Sequence, residues 1–216
     1  MIEGFFTNWI ILVGIFGLAL ISPGPDFVIA VRNSISFSKK AGLFTAAGFA
    51  LGVGVHVTYT LFGLAAIIAQ SVLLFTVIKY VGAIYLIYIG VQALKSKGFN
   101  EEDILSQKRK KHMSDMDCFW NGFLTNLLNP KATLFFLSIF SQFIQADTGF
   151  EVKALYGATC IIMTALWFSL VAIFLNQKKI KEYFLKAAKW IDRICGGFLI
   201  GLGIKLALTN MAVKEP

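Results

Sequence analysis

Residues 21–27 read Ile21-Ser22-Pro23-Gly24-Pro25-Asp26-Phe27, close to the end of an apolar run that extends from about residue 9 to residue 31. A helix needs ~20 mostly apolar residues to cross a bilayer, and this run is long enough. It is also interrupted. Proline removes a backbone donor and clashes with the preceding helical turn, so two prolines around a glycine are expected to break the helix rather than bend it. Unpaired backbone at membrane depth is tolerated only where protein covers it or a cavity receives it. The break is therefore expected to face the interior. A second helical segment is expected to start near Pro25, with free amides and the positive end of a helix dipole, an arrangement that can bind a carboxylate.

The rest of the chain fits a bilayer as solvent. Of 216 residues, 57% are hydrophobic and 15% charged, with mean hydropathy +0.72. Soluble domains sit near ~45–50% apolar and ~25% charged. Five further apolar runs cover about residues 41–68, 72–94, 119–144, 155–175 and 191–209. The expected fold is an all-α integral membrane domain over residues 1–216 with six transmembrane helices. The net charge of +8 would raise nucleic acid as a partner for a soluble protein. Here the cations sit in short loops between apolar runs, so lipid, not nucleic acid, is the expected environment. Fifteen of the 20 Lys and Arg fall in three stretches on one side, residues 32–40, 95–117 and 176–193. Cytoplasmic loops carry that excess, which puts both termini on the other side. A count of five helices would move one terminus. No basic residue precedes the first run, so it is expected to be kept rather than cleaved as a signal.

The two halves resemble each other. Residues 85–94 read YLIYIGVQAL and residues 198–207 read FLIGLGIKLA, 113 positions later; Pro23 and Pro130 are 107 positions apart. Each proline lies in the first helix of its half. Three helices repeated once give opposite orientations, so halves at about 1–95 and 118–211, joined by a charged loop at 96–117, form two inverted three-helix repeats, each with its first helix broken at proline. Many secondary transporters are built this way, with the site at the midplane where broken helices meet.

Asp26 is the only acidic residue that this reading places inside a span. A carboxylate at membrane depth is costly and marks function more often than decoration. It can hold an ammonium group or carry a coupling proton; as a first-turn residue it can also merely stabilise the new helix. Asn129-Pro130-Lys131 is the counterpart in the second half. Lys131 can pair with Asp26, hold a substrate carboxylate, or snorkel to the interface. Asn126 and Asn129 are spaced i, i+3 and share a helix face; they can line a cavity or bond helices together. Gly48, Gly52, His56 and Tyr59 also share one face. The glycines permit close packing, and His56 can relay protons or simply be hydrogen-bonded. Cys118, Cys160 and Cys195 are far apart, odd in number and without a CxxC, so they read as packing residues rather than a metal site or a disulfide framework. The sequence carries neither a phosphate-binding loop with Gly-Lys-Ser/Thr nor His-Glu-x-x-His. Neither an ATP motor, an enzyme nor a cofactor is expected.

Three segments together carry a family resemblance: ISPGPDF at 21–27, AGFALGVGVHVTYTLFGLA at 47–65 and GFLTNLLNPKATLFF at 122–136. They resemble the LysE/RhtB amino-acid exporters, in the same order and over nearly the whole chain. The resemblance implies export of an amino acid or related zwitterion across a bacterial inner membrane, driven by an ion gradient. It places the family motifs on Pro23, Gly24, Pro25 and Asp26 and on Asn129, Pro130 and Lys131. The loop and the C-terminal end match less, so the resemblance does not name the cargo. An exporter of another solute, or a membrane scaffold in which Asp26 and Lys131 only clamp two halves, are the alternatives. A homodimer is compatible with the small-residue helix faces.

Overall fold

The computed structural model describes residues 2–22, 24–98, 113–144, 148–175 and 177–208. All regular structure in them is helical: α1 (Ile2–Ile21), α2 (Pro25–Ser36), α3 (Lys39–Gln70), α4 (Val72–Leu94), α5 (Asp115–Leu127), α6 (Pro130–Phe143), α7 (Phe150–Phe174) and α8 (Lys178–Leu208). Among the described residues, Lys39–Gly63, Thr76–Leu94 and Phe150–Phe174 are each long and apolar enough to cross a membrane. Two bent pairs bring the number to as many as five: α1 with α2, at 58°, and α5 with α6, at 55°.

Both breaks follow from local sequence. Gly24 caps α2 in an extended conformation and Pro25 takes its first turn, where the missing N–H costs nothing. Asn129 caps α6, its side chain accepting from the Lys131 amide, and Pro130 follows at the first helical position. Pro23 lies outside the described residues. So do most of the charged 96–117 loop, including Lys108-Arg109-Lys110-Lys111, and residues 209–211.

Two expected boundaries are corrected. Arg32 does not open a loop; it lies inside α2, which runs to Ser36. Its guanidinium donates to Asn121 Oδ1 at 2.9 Å and to Asn33 Oδ1, so a charge that would end a lipid-exposed helix is paired with α5 instead. Residues 178–193 are not a loop either. They form the first half of α8, with Ile180, Phe184 and Leu185 packed against a core of α2, α3 and α7 residues and Phe184 stacked on Phe27 at 4.6 Å. Apolar residues recurring every three or four positions give this charged stretch one buried face. The apolar run expected at 191–209 is helical to Leu208 but is the shorter second half of α8, and α8 is not among the helices apolar enough to cross alone.

The helices approach closely where glycines remove side chains. On Gly48 of α3 a Cβ would run into the Phe119 carbonyl of α5, and on Gly122 of α5 into the Thr45 carbonyl of α3. Gly90 and Gly196 play the same part between α4 and α8, where a Cβ on Gly196 would lie 2.6 Å from the Gly90 carbonyl. Cys118, Cys160 and Cys195 are free and buried.

Candidate functional site

The two helix breaks meet. A cavity of about 70 Å³ lies between them, with Ser22, Gly24, Asp26, Asn126, Asn129 and Lys131 on its polar wall and Phe16, Phe27, Phe135, Phe136 and Phe168 among its apolar lining. Pro25 and Ala132 also border it. That volume holds a few waters and is far below the ~300–1,000 Å³ of an occupied small-molecule pocket. An organic solute can enter only if the walls move.

Asp26 occupies the first turn of α2 and is half-buried. Its carboxylate accepts one bond on each oxygen: from Asn126 Nδ2 at 2.7 Å and from Asn129 Nδ2 at 3.2 Å. Asn126, in the last turn of α5, and Asn129, the cap of α6, therefore both reach the cavity although α5 ends between them, and they hold the carboxylate with two amides rather than with a cation. Bonds to a charged acceptor are the stronger kind, about 1.5–3 kcal/mol each net. Asn129 does double duty, since its Oδ1 caps α6 at 3.0 Å from the Lys131 amide.

Lys131 does not form an ion pair with Asp26. Its ammonium lies over the α2 break, 3.7 Å from where a Gly24 Cβ would stand, and contacts Ser22 Oγ at 3.5 Å. The cavity thus presents a carboxylate and an ammonium that are not spent on each other. Pro130 is exposed and shapes the start of α6 without lining the cavity.

His56 is 1% exposed and stands one layer behind. Its Nε2 faces the Asn126 carbonyl at 2.9 Å and its Nδ1 faces the Tyr59 hydroxyl at 2.7 Å. A carbonyl only accepts, so neutral His56 carries its proton on Nε2 and accepts from Tyr59 on Nδ1. The ring also stacks on Phe136 at 5.9 Å. His56 therefore fixes the α5 backbone at Asn126 and does not touch the cavity. Gly52 fits the same register: a Cβ there would lie 2.6 Å from Asn126 Oδ1 and 3.0 Å from Asn126 Cβ. Gly52→Ala is expected to displace the Asn126 amide from Asp26 and lower transport about tenfold, the value of one charge-assisted bond, with normal accumulation in the membrane. Gly54→Ala, whose Cβ would meet only Ile161 at 3.6 Å or more, is the matched control. Equal transport by both variants would remove Asn126 from the site.

The sequence reading missed Asp192. It is 3% exposed in α8 and accepts from Ser22 Oγ at 3.2 Å and from Ser96 Oγ. Asp26, half-buried, is therefore not the only acid that the helices enclose, and Asp192 is the more buried of the two. The signal was the period of α8, which places residue 192 on the same face as Ala188 and Cys195, both buried.

The family described as LysE type translocator matches residues 17–210. The uncharacterized membrane protein YrhP of Bacillus subtilis is 33% identical over 203 residues, covering 91% of this chain and 97% of its own length. Threonine efflux proteins of Salmonella typhi and Escherichia coli are each 33% identical over 193 residues, covering 89% of this chain and 94% of theirs. No solved structure matches the chain.

Proposed function

The chain belongs to the LysE type translocator family, and from that premise we propose that it exports a small amino acid from a bacterial cytoplasm through the cavity between the two helix breaks. It is a membrane protein and a transporter rather than an enzyme. The observation that carries the proposal is the unspent pair: Asp26 and Lys131 line one cavity, yet Asp26 is held by Asn126 and Asn129 and Lys131 by Ser22. A zwitterion has the complementary charges. Its ammonium would meet Asp26, and its carboxylate would meet Lys131 and the start of α2, which has no side-chain cap. The phenylalanines opposite suit a short, weakly polar side chain, and threonine is the first candidate because relatives named for its efflux are a third identical to this chain.

In this reading the C-terminal half of α8 is the sixth span. The halves at about 1–95 and 118–211 are inverted repeats, each opening on a broken helix, and the charged loop at 96–117 joins them. The basic loops face the cytoplasm of a bacterial inner membrane and both termini face away. Protonation of Asp26 couples export to the proton gradient: a neutral Asp26 releases the ammonium it held. Rocking one half against the other opens the closed cavity to each side in turn. A scaffold would pack this space shut and pair the two charges, so an unfilled cavity that holds both charges apart favours transport.

The test is efflux of a panel of labelled amino acids from cells expressing the chain, with and without a protonophore. Export of threonine or another small amino acid that stops when the proton gradient is collapsed is the expected result. No export across the whole panel would reject the amino-acid assignment, and export indifferent to the protonophore would reject proton coupling.

A further inference from the structure

Asp192 is buried and lies outside the cavity lining. Asp192 comes from α8, but its partners come from elsewhere. Ser22 is the residue that follows α1, at the edge of the break; Ser96 lies just beyond the end of α4. Ser22 Oγ is also the group that Lys131 Nζ reaches, at 3.5 Å. One carboxylate therefore draws together α1, α4, α6 and α8. Among the described residues its hydrogen-bond partners are the hydroxyls of Ser22 and Ser96, and Lys131 is a cation one side chain away, across Ser22. A buried carboxylate is costly unless it is paired, and Lys131 is a half-buried cation that Asp26 does not pair. A hydroxyl can bridge the two, accepting from the ammonium and donating to the carboxylate.

The same stretch of α8 clasps α1 a second time. Cys195, three residues beyond Asp192 and 2% exposed, donates its thiol to the Leu18 carbonyl at 3.2 Å. Leu18 and Ser22 are one turn apart, so the last turn of α1 is held at two successive points. This clasp stands between the cavity and the end of α4, where the basic loop begins.

We infer that Asp192 is the counter-charge of Lys131 in the empty site and, through Ser22 and Ser96, the latch that closes the cavity on the side of the basic loops. The inference rests on the transport reading of the cavity. A substrate carboxylate that takes over the Lys131 ammonium removes the reason for Ser22 and Asp192 to stay together, so solute binding and release of the latch are linked. Asp192 is a positioning residue here, since it touches Lys131 through Ser22 and does not line the cavity.

Cys195 reports on the latch without any transported solute. Purified protein or membranes are treated with N-ethylmaleimide, and the rate of modification is followed at each cysteine by peptide mass spectrometry. Cys118 and Cys160, both 0% exposed, serve as references for general loosening. In Asp192→Asn, modification of Cys195 is expected to rise about tenfold, in step with the open fraction, while Cys118 and Cys160 stay slow. Adding Lys131→Met to Asp192→Asn removes the stranded cation and is expected to return Cys195 toward the wild-type rate. A purely packing role for Asp192 would give no such return. Wild-type labelling of Cys195 in Asp192→Asn would overturn the latch. If Asp192→Asn exposes all three cysteines, Ser22→Ala decides by cutting the same link with a smaller change: selective labelling of Cys195 supports the latch, and none or equal labelling overturns it. None of these rates depends on which solute is exported, so a negative efflux panel leaves the result standing.

Discussion

Asp26→Asn reduces export about 100-fold or more while the protein accumulates in the membrane at its wild-type level. The substitution keeps the shape of the side chain and removes its charge. The polar network can absorb the change, because Asn126 can turn its amide over and offer an oxygen to the new N–H; its Oδ1 has no hydrogen-bond partner as it stands. Folding is therefore spared. What is lost is the anion that would face the solute's ammonium. Truncating one member of a buried, hydrogen-bonded charge pair costs about 2–5 kcal/mol, and every ~1.4 kcal/mol is a factor of ten. Asp26→Glu, which keeps the charge but lengthens the side chain beyond the reach set by Asn126 and Asn129, is expected to retain part of the activity. The measurement is initial efflux of labelled threonine, or of whichever amino acid the panel identifies, at matched expression. Wild-type efflux by Asp26→Asn would leave the cavity without its ammonium ligand, and with it the zwitterion reading.

The features legible in the sequence are those whose cause is local. Pro25 and Pro130 in apolar runs dictate helix starts wherever the chain goes, and both helices do begin there. The spacing of Gly48, Gly52 and His56 is enough to assign them one face, and all three meet α5. Asn126 and Asn129 do not share a helix face, since α5 ends at Leu127 and Asn129 caps α6; the break between them, not helical period, brings both to Asp26. Partners are another matter. That Asp26 is bonded to Asn126, 100 residues away, rather than to Lys131 is decided by where two bent helices cross, and opposite charge alone points to the wrong partner. Asp192 was hidden by its neighbour: beside Arg193 and after a run of lysines it reads as the rim of a loop, and only the helical period of residues 180–188 reveals a buried face. A search for unbroken apolar runs is blind to an amphipathic helix, and the first half of α8 is one.

Gly122→Ala is expected to cost most of the folded protein, because the clash is with backbone. A Cβ on Gly122 meets the Thr45 carbonyl of α3, and one on Gly48 meets the Phe119 carbonyl of α5. No rotamer change relieves such a contact; the two helices must separate. Overpacking where side chains can adjust already costs about 1–3 kcal/mol, and here the adjustment would strip neighbouring contacts too. The Thr45 hydroxyl, which donates to the Ala41 carbonyl and lies 3.3 Å from the Cys118 carbonyl, would lose its place between α3 and α5. The separation would also reach the site. Asn126 is one turn beyond Gly122, and its carbonyl is held by His56 on α3, so parting α3 from α5 withdraws the amide that holds Asp26. Any Gly122→Ala protein that survives should therefore export poorly. Gly201→Ala in α8 is the contrast: a Cβ there meets nothing within 4 Å, and alanine favours a helix over glycine by about 1 kcal/mol. That variant is expected to accumulate and melt like the wild type or slightly better. Accumulation measured by quantitative blotting, with thermal stability of the detergent-solubilised protein, separates the two. Equal stability of Gly122→Ala and Gly201→Ala would mean that α3 and α5 do not pack backbone to backbone, and the register that brings Asn126 to Asp26 would fall with that contact.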